Sequence, residues 1–275
     1  NMDIHAYKMD GLGNDFVIID NRSDSITPNK DQIIKICDRK FIGCDQLIII
    51  NNHKTSDAHL EFFNSDGSKS GACGNGTRCI AEFISRENNQ KNVLLTTSAG
   101  ELNSNILGDN IVETEIGIGK TQWDQIPLSR NIDTKDLGIK IVDNNGIEHS
   151  GGVAINVGNP HVVFFVGNLE DFNIEKIGPD IEQHKLFPER CNVTIAQVIN
   201  DNLIKVKVWE RGAGLTKACG TAACATAFAG FINQLNSNQV DINFKKGNLF
   251  IKIDKNNLIK MRGPVSNIEK VLIKL

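Results

Sequence analysis

The chain has 275 residues, of which 40% are hydrophobic and 23% charged, and a formal net charge of −3. This length allows one large domain or two ordinary ones, and the composition is typical of a globular protein with a buried core. The small net charge argues against a nucleic-acid partner, and the longest apolar runs are only strand-sized, so we expect no membrane partner either.

Apolar periodicity predicts the elements of the first half of the chain. The expected order is strand 5–9, strand 16–20, helix 31–40, strand 47–50, strand 60–63, a loop over 64–72, helix 77–85, strand 92–97 and strand 111–117. The Gly11-Leu12-Gly13-Asn14 turn leads into a strand rather than a helix. It is therefore not a dinucleotide-binding fingerprint.

A polar stretch over 119–129 separates this half from a second half that repeats its plan. The expected elements are strand 162–166, helix 174–183, strand 193–198, strand 203–208 and helix 221–232. The last of these is rich in alanine and apolar almost all round. Such a helix is typical of one buried on every side by a sheet.

Two cysteines open similar motifs, Cys73-Gly74-Asn75-Gly76 and Cys219-Gly220-Thr221-Ala222, each at an expected helix start. The positions that match across the halves lie 145 or 146 residues apart. They are Asn14 with Asn159, Gln46 with Asn192, Asn64 with Glu210, and Cys73 with Cys219. One constant offset in four separate places indicates an internal duplication into two similar lobes.

A cysteine at a helix N-terminus has unpaired N–H groups and a partial positive charge beside it, so we expect a lowered thiol pKa. The same N–H groups can hold a carboxylate, and Gly74 and Gly220 allow close approach. Two such thiols suit the inversion of a stereocentre. One removes a proton from one face of the carbon, and the other delivers a proton to the opposite face.

His161 and Glu210 are the other titratable candidates, because a charge near a thiol shifts its pKa. Each also has a structural interpretation. His161 could be a surface or hydrogen-bonded histidine without a catalytic role, and Glu210 could form an ion pair with Arg211. The remaining cysteines, which lack zinc-knuckle spacing, are expected to be core residues. They are Cys37, Cys44, Cys79, Cys191 and Cys224. Without a signal peptide, all seven thiols are expected to be reduced, in the cytoplasm.

Several longer motifs closely resemble the diaminopimelate epimerase family, in order and over essentially the whole chain. They are Met9-Asp10-Gly11-Leu12-Gly13-Asn14-Asp15-Phe16, Phe63-Asn64-Ser65-Asp66-Gly67, Cys73-Gly74-Asn75-Gly76-Thr77-Arg78-Cys79, Gly158-Asn159-Pro160-His161, and Glu210-Arg211-Gly212-Ala213-Gly214 with Ala218-Cys219-Gly220. The resemblance implies a cofactor-independent isomerase, without a metal, that interconverts LL- and meso-2,6-diaminopimelate in lysine biosynthesis.

The resemblance also assigns roles to residues. Cys73 and Cys219 would be the acid/base thiols, and His161 and Glu210 would set their pKa values. The substrate carboxylate would sit on the backbone N–H groups of Gly74, Asn75, Gly220 and Thr221. Positions that match the family's substrate contacts are Asn14, Gln46, Asn64, Asn159, Asn192, Glu210 and Arg211.

The fold that the resemblance implies is α+β (mixed α/β), with two pseudo-symmetric lobes, each a β-sheet wrapped around a central helix. We expect the lobes at 1–118, with 264–275 returning to it, and at 119–263, in a homodimer. Three alternatives stay open: a proline- or hydroxyproline-type racemase, an isomerase of the phenazine-biosynthesis type, and a non-enzymatic thiol or metal-binding protein. Arg211 and several asparagines favour a substrate with a second amino-acid end over proline.

Overall fold

The computed structural model describes residues 3–71, 73–215 and 219–275. It is a mixed α/β structure in which strands predominate and helices are few. Contacts divide the chain into two compact units, residues 1–115 with 262–275, and residues 116–261. The expected lobe boundaries at 118/119 and 263/264 stay a prediction.

The first part of the chain forms eight strands and two helices. They are β1 (Asp3–Gly11), β2 (Asn14–Asp20), α1 (Lys30–Cys37), β3 (Gln46–Asn51), β4 (Ala58–Asn64), β5 (Lys69–Ser70), α2 (Gly74–Asn88), β6 (Asn92–Thr97), β7 (Gly100–Gly108) and β8 (Ile111–Ile118). A two-residue turn, with positive φ at Leu12 and Gly13, joins β1 to β2. Such turns match the twist of a hairpin, and this one places Asn14 at the start of β2.

The sheet of the first unit is covered by a helix on each face. Along β2, Phe16 and Ile18 belong to the core around α2, whereas Val17 and Ile19 belong to the core that includes α1. Because alternate side chains of a strand point to opposite faces, a strand buried on both faces is continuously apolar. That is why β2 and the neighbouring β3 read as unbroken apolar runs.

Helix α2 lies against β1, β2, β6 and β7. Gly76 also lets the first turn of α2 approach β3 and β4 closely, since a Cβ at that position would lie 2.8 Å from Phe62 Cε1 and 2.9 Å from Ile48 Cδ1. The first turn of α2 is therefore held directly on the sheet, with Asn75 and Gly76 buried. This contact places the N-terminus of α2 beside the end of the β1–β2 hairpin, where a Cβ on Gly11 would lie 3.0 Å from the Asn75 carbonyl oxygen.

The second part of the chain forms ten strands, two α-helices and a short 3₁₀ turn at Leu169–Asp171. They are β9 (Ile139–Val142), β10 (Glu148–Gly151), β11 (Val153–Asn156), β12 (Pro160–Phe165), α3 (Ile174–Glu182), β13 (Asn192–Asn200), β14 (Leu203–Glu210), β15 (Gly214–Leu215), α4 (Gly220–Ile232), β16 (Gln239–Phe244), β17 (Gly247–Ile253) and β18 (Leu258–Pro264). β9 and β10 pair with each other as a separate hairpin.

The two units repeat one order of strand pairing. In the first unit β2 runs parallel to β3, β3 antiparallel to β4, β4 antiparallel to β5 and parallel to β6, and β6 antiparallel to β7. In the second unit β12, β13, β14, β15, β16 and β17 pair in the same senses. The mixed α/β fold built from two similar halves is thereby confirmed.

The last strand, β19 (Glu269–Lys274), pairs antiparallel with β1, from Asp3 opposite Lys274 to Lys8 opposite Glu269. It therefore belongs to the first unit, as the family resemblance implies. The expected helix over 31–40 was too long, because Asp38 already has extended backbone and closes α1 at Cys37. The prediction also missed the short or mixed-polarity strands β5, β7, β9, β10, β11, β15, β16, β17 and β18.

Helix α4 is buried along most of its length and packs on β11, β12, β13, β16 and β17. This confirms the expectation of a helix enclosed by its sheet. Within the described ranges, no helix combines the length and apolar character needed to cross a membrane.

We expect Gly178→Ala to lower the free energy of unfolding by about 1–3 kcal/mol, the usual cost of overpacking. A Cβ on Gly178 in α3 would lie 2.4 Å from Trp209 Cγ, which outweighs the higher helix propensity of alanine. Urea unfolding followed by far-UV circular dichroism would measure the change.

Gly167→Ala is the matched control, because no atom lies within 4 Å of its added Cβ. We expect it to change the free energy of unfolding by less than about 0.5 kcal/mol. Equal stability of the two variants would contradict the packing of Trp209 on α3.

Candidate active site

Cys73 occupies the N-cap position of α2, with extended backbone angles of φ −115° and ψ 122°. The helix begins there because the Thr77 N–H and the Thr77 hydroxyl both donate to the Cys73 carbonyl, each at 2.9 Å. The N–H groups of Gly74, Asn75 and Gly76 precede the first bond of the helix and have no partner within it. Cys73 is thus half-buried and lies at a helix N-terminus, the position expected for it from the sequence.

The predicted amide residues of the first unit form two hydrogen-bonded pairs. Gln46 and Asn64 lie opposite each other on β3 and β4, and Gln46 Nε2 donates to Asn64 Oδ1 at 3.2 Å and to Ser70 Oγ at 2.9 Å. Asn75 Nδ2 donates to Asn14 Oδ1 at 2.7 Å. Asn14, Gln46 and Asn64 were expected from the repeat offset and the family resemblance, whereas Asn75 was expected only for its backbone N–H, so the contact of its side chain with Asn14 is new.

Cys219 occupies the corresponding N-cap position of α4, with φ −137° and ψ 114°. Gly220 is the first residue of this helix, and the Ala223 N–H donates to the Cys219 carbonyl at 3.1 Å. Cys219 Sγ lies 3.6 Å from Thr221 Oγ1, and the residue is 7% exposed. The two cysteines therefore hold equivalent positions in their own units.

Three polar side chains meet beside Cys219 in the second unit. His161 Nε2 lies 2.8 Å from Asn159 Oδ1 and 3.1 Å from Thr221 Oγ1, and Asn159 Nδ2 donates to Thr221 Oγ1 at 3.3 Å. Since an amide oxygen only accepts, His161 Nε2 carries the proton that Asn159 receives. Burial, and then the positive charge of Arg211, lowers the pKa of His161 to about 3. The imidazole is therefore neutral at physiological pH.

The expected lowering of the thiol pKa is wrong for Cys219. Burial, and then the negative charge of Glu210, raises the pKa of this thiol well above its ordinary value. The Thr221 hydroxyl and the Ala222 N–H favour the thiolate, but they are the smaller influences. The prediction considered only the helix N-terminus. It left out the free-energy cost of removing a thiolate from water, which raises the pKa of a buried thiol.

Glu210 and Arg211 lie at the end of β14, in a loop that is tied down on both sides. The Arg211 N–H donates to Asn192 Oδ1 at 2.8 Å, and Asn192 Nδ2 donates to the Pro160 carbonyl at 3.1 Å. The Arg211 guanidinium is exposed and donates to the Glu189 carbonyl at 3.0 Å. Asn192 thus links the loop to Pro160 at the start of β12, the residue that follows Asn159.

Sequence reasoning missed Glu182, a buried carboxylate at the end of α3 that anchors the same loop. Its Oε1 accepts from Trp209 Nε1 at 2.8 Å, and its Oε2 accepts from the Gly212 N–H at 3.1 Å. Trp209 and Gly212 flank the Glu210–Arg211 pair, so Glu182 holds both sides of it. No local sequence pattern predicts these contacts, because Trp209 and Gly212 lie 27 and 30 positions from Glu182 in the chain.

The remaining predicted core cysteines are buried, and Cys44 Sγ lies 3.5 Å from Cys37 Sγ. All seven cysteines lie in the described residues and are thiols there. In the same part of the chain, no group of three or more His, Cys, Asp or Glu residues could hold a metal ion. A groove of about 820 Å³ in the second unit is lined by Phe172, Val206 and Phe244 among others, and by none of the predicted site residues.

The sequence matches the family model described as diaminopimelate epimerase over residues 6–123 and 153–268. It is 64% identical over 274 residues to the diaminopimelate epimerase of Pelagibacter ubique, covering 100% of both chains. It is 40% identical over 260 residues to that of Phenylobacterium zucineum, covering 94% of each.

Solved structures share the fold at low sequence identity. A predicted epimerase from Pseudomonas aeruginosa aligns with a TM-score of 0.67 at 13% identity, covering 98% of this chain and 100% of the other. A phenazine biosynthesis protein of the PhzF family from Bacillus anthracis gives 0.66 at 13% identity and 100% of both chains. A hydroxyproline epimerase from Agrobacterium vitis gives 0.65 at 10% identity, over 100% and 92%.

We expect Glu210→Gln to speed the alkylation of Cys219 by iodoacetamide at pH 8. Removing the negative charge lowers the pKa of the thiol, and the thiolate is the reacting form. Quenched time points analysed by peptide mass spectrometry would give the rate at Cys219.

Glu175→Gln, on an exposed glutamate at the start of α3, is the control and is expected to leave that rate unchanged. A Glu210→Gln rate no higher than that of the control would contradict the proposed electrostatic effect.

Proposed function

The chain belongs to the diaminopimelate epimerase family, and on that premise we propose that it is an isomerase interconverting LL- and meso-2,6-diaminopimelate. The 64% identity to one such enzyme extends over the whole of both chains. The observation that carries the mechanism is the equivalent placement of Cys73 and Cys219, each at the N-cap of a helix in its own unit.

The reaction inverts the α-carbon by two proton transfers. A thiolate removes the α-proton from one face and becomes a thiol, while the other thiol delivers its proton to the opposite face and becomes a thiolate. The charge and the protons balance, and no cofactor takes part. Because the pKa of Cys219 is raised, we assign it as the proton donor of the resting enzyme and Cys73 as the base. In the reverse direction the roles exchange.

The substrate carboxylate at the reacting carbon would accept hydrogen bonds from backbone N–H groups in the first turns of α2 and α4. We assign this task to Gly74, Asn75, Gly220 and Thr221. Donors aimed at the carboxylate stabilise the negative charge that develops on it when the α-proton leaves. Their N–H groups precede the first hydrogen bond of each helix, which supports the assignment.

Polar side chains would bind the other groups of the substrate. We assign this role to Asn14, Gln46, Asn64, Asn159, Asn192, Glu210 and Arg211. The exposed guanidinium of Arg211 can bind a second carboxylate in a bidentate way, which proline could not use. The resemblance gave His161 and Glu210 one shared role, that of setting the thiol pKa values, but we assign them separate roles. Neutral His161 orients Asn159 and Thr221, and Glu210 keeps Cys219 protonated.

Four further expectations belong with this proposal. The enzyme would act without a metal or an organic cofactor and would contribute to lysine biosynthesis. It would work in a reducing cytoplasm, in keeping with seven unoxidised thiols. The homodimer stays a prediction.

We expect the protein to convert LL-diaminopimelate in D₂O into a mixture with the meso isomer, with deuterium on an α-carbon. The label follows because the proton delivered to the product comes from a thiol that exchanges with solvent. Proton NMR and chiral chromatography would follow the label and the stereochemistry. L-Proline is the control substrate, and its racemisation instead would support the rival family, whereas a need for added metal would contradict cofactor independence.

We expect Cys73→Ala and Cys219→Ala each to lower kcat for epimerisation by at least about 10²-fold, the loss typical of removing a general acid or base. Cys79→Ala and Cys224→Ala are matched controls, since each lies in the same helix as an assigned thiol but is 0% exposed. The controls should lower the thermal midpoint and keep kcat. Near-normal turnover in either N-cap variant would contradict the two-thiol assignment.

A further inference from the structure

We propose that Arg78 and Asp45 are positioning residues that fix the orientation of the Asn14 and Asn75 side chains. This inference rests on the proposed function, in which both asparagines lie at the substrate. Neither Arg78 nor Asp45 is expected to touch the reacting atoms. They act through the amides that lie between them in the first unit.

A continuous series of side-chain hydrogen bonds connects the four residues. Arg78 Nη2 donates to Asn75 Oδ1 at 2.8 Å, Asn75 Nδ2 donates to Asn14 Oδ1 at 2.7 Å, and Asn14 Nδ2 donates to Asp45 Oδ2 at 3.2 Å. The series starts at a cation on α2 and ends at a carboxylate just before β3. Two carboxamides span the distance between the two charges.

The charges at the ends determine the direction of every bond. A guanidinium has donors only, and an ionised carboxylate has acceptors only. If both amides were flipped, the NH₂ of Asn75 would face the Arg78 donors and the oxygen of Asn14 would face the Asp45 carboxylate. Each contact would then be repulsive, so only one orientation of the pair satisfies both ends.

Both ends are themselves held in place. Arg78 is 0% exposed, and a buried cation is costly unless its donors find acceptors, so its bond to Asn75 is hard to give up. Asp45 Oδ1 accepts from Arg39 Nη2 at 2.8 Å, and Asp45 Oδ2 also accepts from the Asp15 N–H at 3.2 Å. Arg39 in turn pairs with the Asp15 carboxylate.

The fixed direction determines what the asparagines can offer a ligand. Each carboxamide has two N–H groups and two lone pairs on its oxygen, and the series occupies one of each. The remaining N–H and lone pair of each amide therefore have set positions before any substrate arrives. A pre-oriented group binds with a smaller entropic cost and discriminates against ligands of reversed polarity. A zwitterionic amino acid, with a carboxylate and an ammonium group, presents one such polarity.

The test is a double-mutant cycle on kcat/KM for LL-diaminopimelate, with Asp45→Ala, Asn14→Ala and the double variant. We expect Asp45→Ala to lower kcat/KM by about 10- to 100-fold, the loss typical of a hydrogen bond to a charged group. If Asp45 acts through Asn14, adding Asp45→Ala to Asn14→Ala should cost less than about 3-fold, because neighbours that act as one are not additive. Asp45→Asn should lose less than Asp45→Ala, because its amide oxygen can still accept from Asn14.

Asp20→Ala is the matched control. Asp20 ends the strand that Asn14 begins, pairs with Arg22 at 2.7 Å, and has a side chain 31% exposed against 35% for Asp45. We expect its kcat/KM to stay within about 2-fold of wild type, with thermal midpoints recorded for all variants.

The outcomes separate the two proposals. Wild-type protein that does not epimerise diaminopimelate overturns the proposed function. Wild-type activity, with an unchanged Asp45→Ala variant or with losses that multiply in the double variant, overturns the positioning role alone.

Discussion

The N-terminus of a buried helix needs hydrogen-bond partners, and the polar parts of both units are arranged around that need. Helices α2 and α4 are pressed onto their sheets, and Gly76 shows how close the contact is. Their first N–H groups cannot be satisfied within the helix, and covering them with apolar side chains would be costly. Amides and hydroxyls therefore gather at these two ends, and the same unsatisfied donors are what a substrate carboxylate can use.

Both units have a hydrogen bond between an asparagine and a residue in the first turn of the helix, but different residues orient that asparagine. The repeat offset pairs Asn14 with Asn159 and Asn75 with Thr221, and in each unit the asparagine is hydrogen-bonded to its helix partner. In the first unit a buried arginine supports the pair from within the helix. In the second unit the equivalent helix position is Cys224, and His161 on β12 supports the pair instead. The contact is common to both units, but the residue that orients it is not.

Much of this could be predicted from the sequence, and the failures have physical causes. The apolar runs of β2 and β3, the buried character of α4 and the matched cysteine turns all express strong local patterns or a constant offset. β7 was missed because it is mostly polar and alternates weakly. β16 was missed although Val240, Ile242 and Phe244 alternate with polar residues, so its pattern was present in the sequence. Glu182 was missed because its partners are distant in the chain, and so were the bonds of Arg78 and Asp45. The amide positions were identified, but their orientation depends on charges that only the fold brings near.

The raised pKa of Cys219 shows that burial can outweigh the effect of a helix N-terminus on a thiol. In an exposed position the partial positive charge and N–H groups would favour the thiolate. Here Cys219 is 7% exposed and lies near Glu210, so the protonated form of the thiol is favoured. A thiol that holds its proton in this way suits the donor role proposed above, because a carbanion is far more basic than water.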